Sequence, residues 1–258
     1  MPSAYAHYRF GKEAVSMLSK EAQRAIRHFP ALYEVGLHGP DPFFHYNIFF
    51  HTEVGDLGNS MHALTGNQMF TQLCKRLRMH PSEAAVSYLY GFLAHYALDS
   101  VCHPFINAIA AEGEIGHVEL ESEFDRFLLD IDHRIPPHRQ DLSSHLRLTR
   151  SECATAADLL CPVTAGNIMR CTRNMARHNH LLATLNPKLI AWGLSHMPRE
   201  IADQQMPQEP NRNCAYLDGD LHRLYQQALE LYPRLAAQIE DHIQNRTPLG
   251  EDFQKIFG

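Results

Sequence analysis

The sequence predicts an all-α protein, a single-domain multi-helix bundle spanning residues 1–258. Three observations carry that prediction. Apolar residues recur at helical spacing in segment after segment. No period-2 alternation is long enough to make a sheet. The composition, 45% hydrophobic and 20% charged, is that of an ordinary globular chain, and 258 residues suit one compact core.

The elements follow in order. Ala14, Met17, Leu18, Ala22, Ala25 and Ile26 predict a helix over 12–28. The stretch 31–56 is rich in Gly, Pro, Asp and aromatic residues and reads as a long structured loop. A second helix is expected over 58–79. A third opens at Pro81-Ser82-Glu83 and runs to about Cys102, where Pro104 and the Gly113–Gly116 region interrupt it. A helix over about 117–130 comes next. Pro136-Pro137 then breaks the chain, and 133–147 is a polar connection. Further helices are expected at 149–159, 163–184, 187–203 and 218–244, with a loop at 204–215.

Composition sets further bounds. The formal net charge is −6. With no basic stripe in view, such a chain is not expected to hold nucleic acid stably, since phosphate backbones call for a basic surface. The six cysteines (Cys74, Cys102, Cys153, Cys161, Cys171, Cys214) form no CxxC pair, so scattered reduced thiols are expected rather than a cysteine zinc site. The first residues show no basic-then-apolar leader, and no apolar run reaches the length of a membrane span. A cytoplasmic protein is the expectation. The outlier is histidine: 18 residues, about 7% of the chain, and histidine is the commonest metal-binding side chain.

The strongest motif lies in the third helix, His95-Tyr-Ala-Leu-Asp99-Ser-Val-Cys-His103. Residues four apart share a helical face, so these three form one polar stripe. Leu89, Phe92, Leu93, Tyr96 and Leu98 imply that the helix is buried. Two imidazoles and a carboxylate there need compensation, which a metal ion provides; core histidines hydrogen-bonded to a shared Asp are the alternative. His117 and Glu121 stand one turn apart on the next helix, with Asp125 a further turn on. Helices joined by a short loop pack antiparallel, so the two stripes can face each other. Upstream lie Asp41, stiffened between Pro40 and Pro42, then His62 at the start of an apolar run, and His7 before Phe10-Gly11. Among the remaining histidines, His28, His80, His133, His138, His145, His222 and His242 are expected at the surface. His38, His45 and His51 sit in the long loop, where they can line a pocket.

In this order the residues resemble the zinc-dependent phospholipase C superfamily, which includes the single-strand-specific zinc nucleases. The His-x3-Asp-x3-His form looks closest to the catalytic region of glycosylphosphatidylinositol-specific phospholipase D. The resemblance covers roughly residues 4–130; 131–258 carry no motif and are expected to complete the bundle. It implies a buried multinuclear site with two or three zinc ions. One ion would be held by Asp41, His62, His95 and Asp99. A second would be held by His103, His117 and Glu121. A third would use His7, with Asp99 bridging, and the free N-terminal amine. Secreted relatives present a processed N-terminal Trp, which this sequence lacks; Pro2, exposed by loss of Met1, would stand in.

The implied reaction is hydrolysis of a phosphodiester, most simply a phospholipid or glycerophosphodiester, by zinc-activated water, with Asp41 as proton acceptor. Phe43, Phe44 and Tyr46, just after Asp41, are the candidate substrate-binding residues, with Phe49 and Phe50 beyond them. An apolar rim suits a lipid and implies transient contact with a membrane surface. The same aromatics can stack bases in a nuclease-like phosphodiesterase, or simply pack the loop. A non-catalytic helical protein with structural zinc is the third reading, and an open coordination position separates it from the enzymes.

Overall fold

A computed structural model describes residues 4–257, without the side chains of residues 187, 188, 191 and 200. Among the described residues there are helices and no strands; Thr65 and Ile256 share an isolated bridge. The helices are α1 (Ala4–Ala14), α2 (Lys20–His28), α3 (Pro30–Gly36), α4 (Glu53–His62), α5 (Gly66–Met79), α6 (Glu83–Ala111), α7 (His117–Ile131), α8 (Arg150–Leu159), α9 (Ala165–Thr184), α10 (Pro187–Leu194), α11 (Arg199–Ala202) and α12 (Asp218–Asn245).

α6 is the axis of the bundle. Ser82 caps it, its hydroxyl accepting the Ala85 N–H at 3.1 Å. Every residue from Ser87 to Ser100 is buried. A helix apolar all round must be wrapped by others, and α1, α2, α3, α7, α8 and α12 all pack on it. At the tightest crossing, α3 on α6, two glycines meet. A Cβ on Gly91 would stand 2.2 Å from the Tyr33 carbonyl oxygen and 3.0 Å from Gly36 Cα. One hydrophobic core runs from Ala4 to Phe257, so the part without motifs is folded into it. The Phe253 and Phe257 rings pack on Tyr96 and Phe70 at centroid distances of 4.9–6.1 Å.

Several expected boundaries differ, each for a local reason. The helix expected over 12–28 is two helices. Val15–Met17 is a 3-10 turn, Leu18 is extended, and Ser19 starts α2 by accepting the Ala22 N–H at 3.3 Å. α1 begins earlier, at Ala4, because its first N–H groups have a distant partner. Buried Asp125 of α7 accepts from the Tyr5 N–H at 2.9 Å and the Ala6 N–H at 2.8 Å. The long loop contains α3, launched by Pro30 in its first turn, a 3-10 turn over Asp41–His45, and the start of α4. The helix expected at 58–79 is α4 and α5, separated by the Thr65/Gln68 capping box. α6 continues past Cys102 through Pro104; the missing N–H costs one bond, and burial of Cys102 and Ile106 holds the turn together. The segment 187–203 is α10 and α11, parted before Pro198.

Two histidines expected at the surface are buried. His145 is 6% exposed, stacked on Tyr8, and His242 is 8% exposed, its Nδ1–H donating to the Thr247 carbonyl. A basic stripe also exists: Arg170, Arg173 and Arg177 follow one another at helical spacing on the exposed side of α9. The six cysteines are free thiols and all but Cys161 are buried. No described helix is long and apolar enough to cross a membrane.

Gly91→Ala should destabilise the protein by about 2–3 kcal/mol, since neither backbone at the crossing can move without opening the core. Thermal unfolding should show a Tm lower by roughly 5–10 °C. An unchanged Tm would mean that the α3–α6 contact is looser than 2.2 Å implies.

Candidate metal centre

The polar stripe of α6 is the floor of the site. Asp99 is 3% exposed. Its Oδ1 lies 3.2 Å from His7 Nε2, and its Oδ2 lies 3.0 Å from His95 Nε2 and 3.6 Å from His103 Nδ1. α7 packs against α6 and supplies Glu121, whose Oε1 is 3.3 Å from both His103 Nε2 and His117 Nε2. From the other side the Asp41 turn and α4 bring Asp41 Oδ1 to 3.1 Å from His62 Nε2. That turn approaches closely because of Gly39, at φ 47°, where a Cβ would collide with the His95 ring at 2.2 Å.

All eight residues singled out from the sequence thus converge. Their ligand atoms form three groups: Asp41, His62 and His95; His7, His95 and Asp99; His103, His117 and Glu121. The grouping differs from the one the resemblance implies, because Asp99 falls with His7 and His95 rather than with Asp41 and His62. His95 is common to both groups. The N-terminal amine and Pro2, invoked for a third ion, lie outside the described residues.

Hydrogen bonding bears on the choice between a metal centre and plain core packing. His95 Nε2 and Asp99 Oδ2 are 3.0 Å apart, yet both remain without a hydrogen-bond partner, because the angles are wrong. His7 Nδ1, His95 Nδ1 and Glu121 Oε2 are buried and unpartnered as well. Burying such atoms unpaired is costly. His62 Nε2 and Asp41 Oδ1, and His103 Nε2 and Glu121 Oε1, do meet in hydrogen bonds, whereas the unpartnered atoms of His95 and Asp99 are free to meet an ion. Two ligand atoms on tetrahedral zinc, with arms near 2.1 Å, stand about 3.4 Å apart, and the separations between paired ligand atoms here run from 3.0 to 3.3 Å.

The far nitrogens of three histidines are pinned. His62 Nδ1–H donates to the Gly58 carbonyl at 2.8 Å, His103 Nδ1–H to the Phe257 carbonyl at 2.8 Å, and His117 Nδ1–H to Asn107 Oδ1 at 3.0 Å. Each bond occupies Nδ1, so Nε2 is the nitrogen turned to the cluster. The electrostatics favour a cation. Burial pushes His103 down, but the charges of Asp99 and Glu121 outweigh it and carry His103 up to about 10. Asp99 is likewise held well below the usual carboxylate range, because the surrounding histidines outweigh its burial.

A model of the zinc-dependent phospholipase C family matches residues 6–169. The chain belongs to that family. No curated protein and no solved structure gives a significant match. The family's zinc requirement fits the histidine and carboxylate donors gathered here, which also contain no thiolate. The zinc-dependent phospholipase C region therefore extends past α7 through α8 into α9, further than the motifs alone reach.

The aromatic residues after Asp41 divide. Phe43 is 2% exposed and belongs to the core, presenting no face to a substrate. Phe44 is half-buried and stacks on His62 at 5.3 Å. Tyr46 lies under the Arg170 guanidinium at 4.1 Å. Phe49 and Phe50 stand in solvent. Sequence reasoning missed what surrounds them: Asn174 of α9 donates to the carbonyls of His45 and Tyr46, and His38 Nε2 meets His145 Nε2 at 2.8 Å. Only the tertiary fold reveals these partners, which lie more than 100 residues apart. His51, the third loop histidine, is exposed and pairs with Asp56.

His38, His45, His145 and His178 all have lowered pKa values, with burial the leading cause; His145 and His178 fall to about 4. Their folded pKa values lie below the unfolded value near 6.5. Their contribution to stability is therefore complete above pH 6.5 and is lost as pH falls towards 4. The Tm should drop on acidification through that window. His145→Phe keeps the stack on Tyr8 and should show a shallower drop, from a lower starting value at pH 7; equal slopes would place the acid sensitivity elsewhere.

Proposed function

We propose that the chain hydrolyses a phospholipid or glycerophosphodiester in the manner of a phospholipase C, at two or three zinc ions held by His7, Asp41, His62, His95, Asp99, His103, His117 and Glu121. The unpartnered, converging atoms of His95 and Asp99 carry this reading. Bound zinc supplies positive charge for the phosphoryl oxygens and makes water acidic enough to attack phosphorus at neutral pH. Three ions would bring six positive charges against three from Asp41, Asp99 and Glu121, so the site would attract an anionic diester within an acidic protein.

The chain's own residues supply the rest. Asp41 is kept ionised chiefly by His95 and His62, which outweigh its burial, and serves as the proton acceptor from the attacking water. His95, in contact with both neighbouring groups, fixes their spacing. Phe44 keeps the His62 ring in place by stacking, and offers its remaining face, with Tyr46, to the apolar side of the substrate. Phe43 supports this turn from beneath, packing beside Gly58. The lipid-like aromatic rim favours a lipid-derived diester over a nucleic acid.

Elemental analysis and hydrolysis of bis-p-nitrophenyl phosphate test the reading together. The wild type should hold two or three equivalents of zinc. Asp99→Asn should lose at least one of them and about 10²-fold or more in kcat/KM, since a neutral amide is a weaker ligand and does not balance the imidazoles. Equal zinc content and equal turnover in the variant would reduce the stripe to core packing.

A further inference from the structure

The unabsorbed features of the molecule cluster on α9 and α10. A groove of about 480 Å³ lies between α9 and the segment before α8, and Arg147, Arg173 and Arg177 line it. Among the described residues no ion pair joins any of the three to a carboxylate, although acidic residues outnumber basic ones 29 to 23 in this chain. His180, which also lines the groove, pairs with Asp141 at 2.8 Å. Three uncompensated guanidinium groups in one groove repel one another, and an anion relieves that repulsion.

The same helix face continues into apolar surface. Arg173, Arg177 and Leu181 are spaced i, i+4 and i+8 along α9, so they form one stripe. Leu181 is 47% exposed. Two residues after α9 ends, α10 begins. Its Ile190 is 7% exposed and turned inward, while Leu189 at 65% and Trp192 at 70% stand out into solvent. Trp192 is the one tryptophan of the chain. A protein seldom leaves its only tryptophan and neighbouring leucines in water without a use for them. Cations and exposed Leu181 on α9, with exposed Leu189 and Trp192 on the following α10, match the two layers of an anionic bilayer: headgroup phosphates outside, acyl chains within.

We infer that the exposed face of α9 and α10, with Arg147, Arg173 and Arg177 beside Leu181, Leu189 and Trp192, docks the protein on an anionic phospholipid membrane. The inference rests on the lipid reading of the metal centre, to which α9 is joined by Asn174 and by Arg170 over Tyr46. The surface would deliver the Asp41 turn to the bilayer. It uses residues that play no part in holding metal.

Trp192 is its own probe. The zinc-loaded protein is titrated with phosphatidylcholine vesicles containing 30% phosphatidylserine, and with pure phosphatidylcholine vesicles, while tryptophan emission and co-sedimentation are recorded. A blue shift with the anionic vesicles, tenfold or weaker binding to the neutral ones, and reversal by high salt are expected. The Arg173→Glu/Arg177→Glu double variant should lose at least tenfold in vesicle affinity. Trp192→Ala, at a solvent position that the fold tolerates, should sediment less than wild type with the same vesicles. Equal binding to both vesicle types, or an emission shift with single-stranded oligonucleotide and none with vesicles, would overturn the assignment. So would full binding by both variants. Vesicle binding is read without turnover, so beside the separate diester assay, binding without hydrolysis would sink the hydrolase reading alone, and hydrolysis without vesicle binding would sink the docking face alone.

Discussion

A carboxylate buried in the middle of an apolar helix is the constraint that organises this protein. Asp99 lies on the stretch of α6 that is buried without interruption from Ser87 to Ser100. An isolated charge there would cost several kcal/mol even after relaxation. The fold answers by delivering imidazoles: His95 and His103 from the turns above and below, and His7 from α1. α1 is in turn anchored by Asp125, one turn beyond Glu121 on α7. One face of α7 thus supplies both a candidate ligand and the cap that positions another. The helix order α1, α6, α7 in the core follows from the need to surround one charge.

That reciprocity explains why the site was legible in the sequence and its supports were not. The i, i+4 stripes on α6 and α7 are local patterns, and local periodicity transmits directly into shared helix faces. Asp41, His62 and His7 were identifiable through order and resemblance, since spacing does not bring a loop residue to a helix. The features missed share one property. The cap on α1, the Phe257 carbonyl that orients His103 and the His38–His145 contact all join residues more than 100 positions apart. Helix boundaries failed for the same reason. α3 is too short to show a period, and α6 passes Pro104 because tertiary burial outweighs one missing hydrogen bond.

The surface histidine assignments erred in an instructive direction. His145 sits in a polar connection, and polarity there suggested solvent. It is buried because Tyr8 and His38 give its ring a stacking face and a hydrogen bond, which satisfies a neutral imidazole at little cost. Around the metal centre histidine therefore has two distinct roles. At His7 and His103 the carboxylates of Asp99 and Glu121 favour the cationic form, whereas in the shell at His38, His45, His145 and His178 burial keeps the ring neutral. Composition counts both kinds alike; only the position of the carboxylates separates them.

The net charge misleads in a similar way. A chain of −6 suggests repulsion of anions, but fields act locally and decay within about 8–10 Å in physiological salt. Much of the acidic excess is spent elsewhere: Asp99, Glu121 and Asp41 are enclosed among histidines, and Asp132 and Glu119 are paired with Arg9 and Arg199. What remains uncompensated at the surface of α9 is positive, in the groove of Arg147, Arg173 and Arg177. An anionic partner approaching that face meets arginine first, although the molecule as a whole is acidic, and Arg173 and Arg177 stand on the helix that holds the Asp41 turn in place.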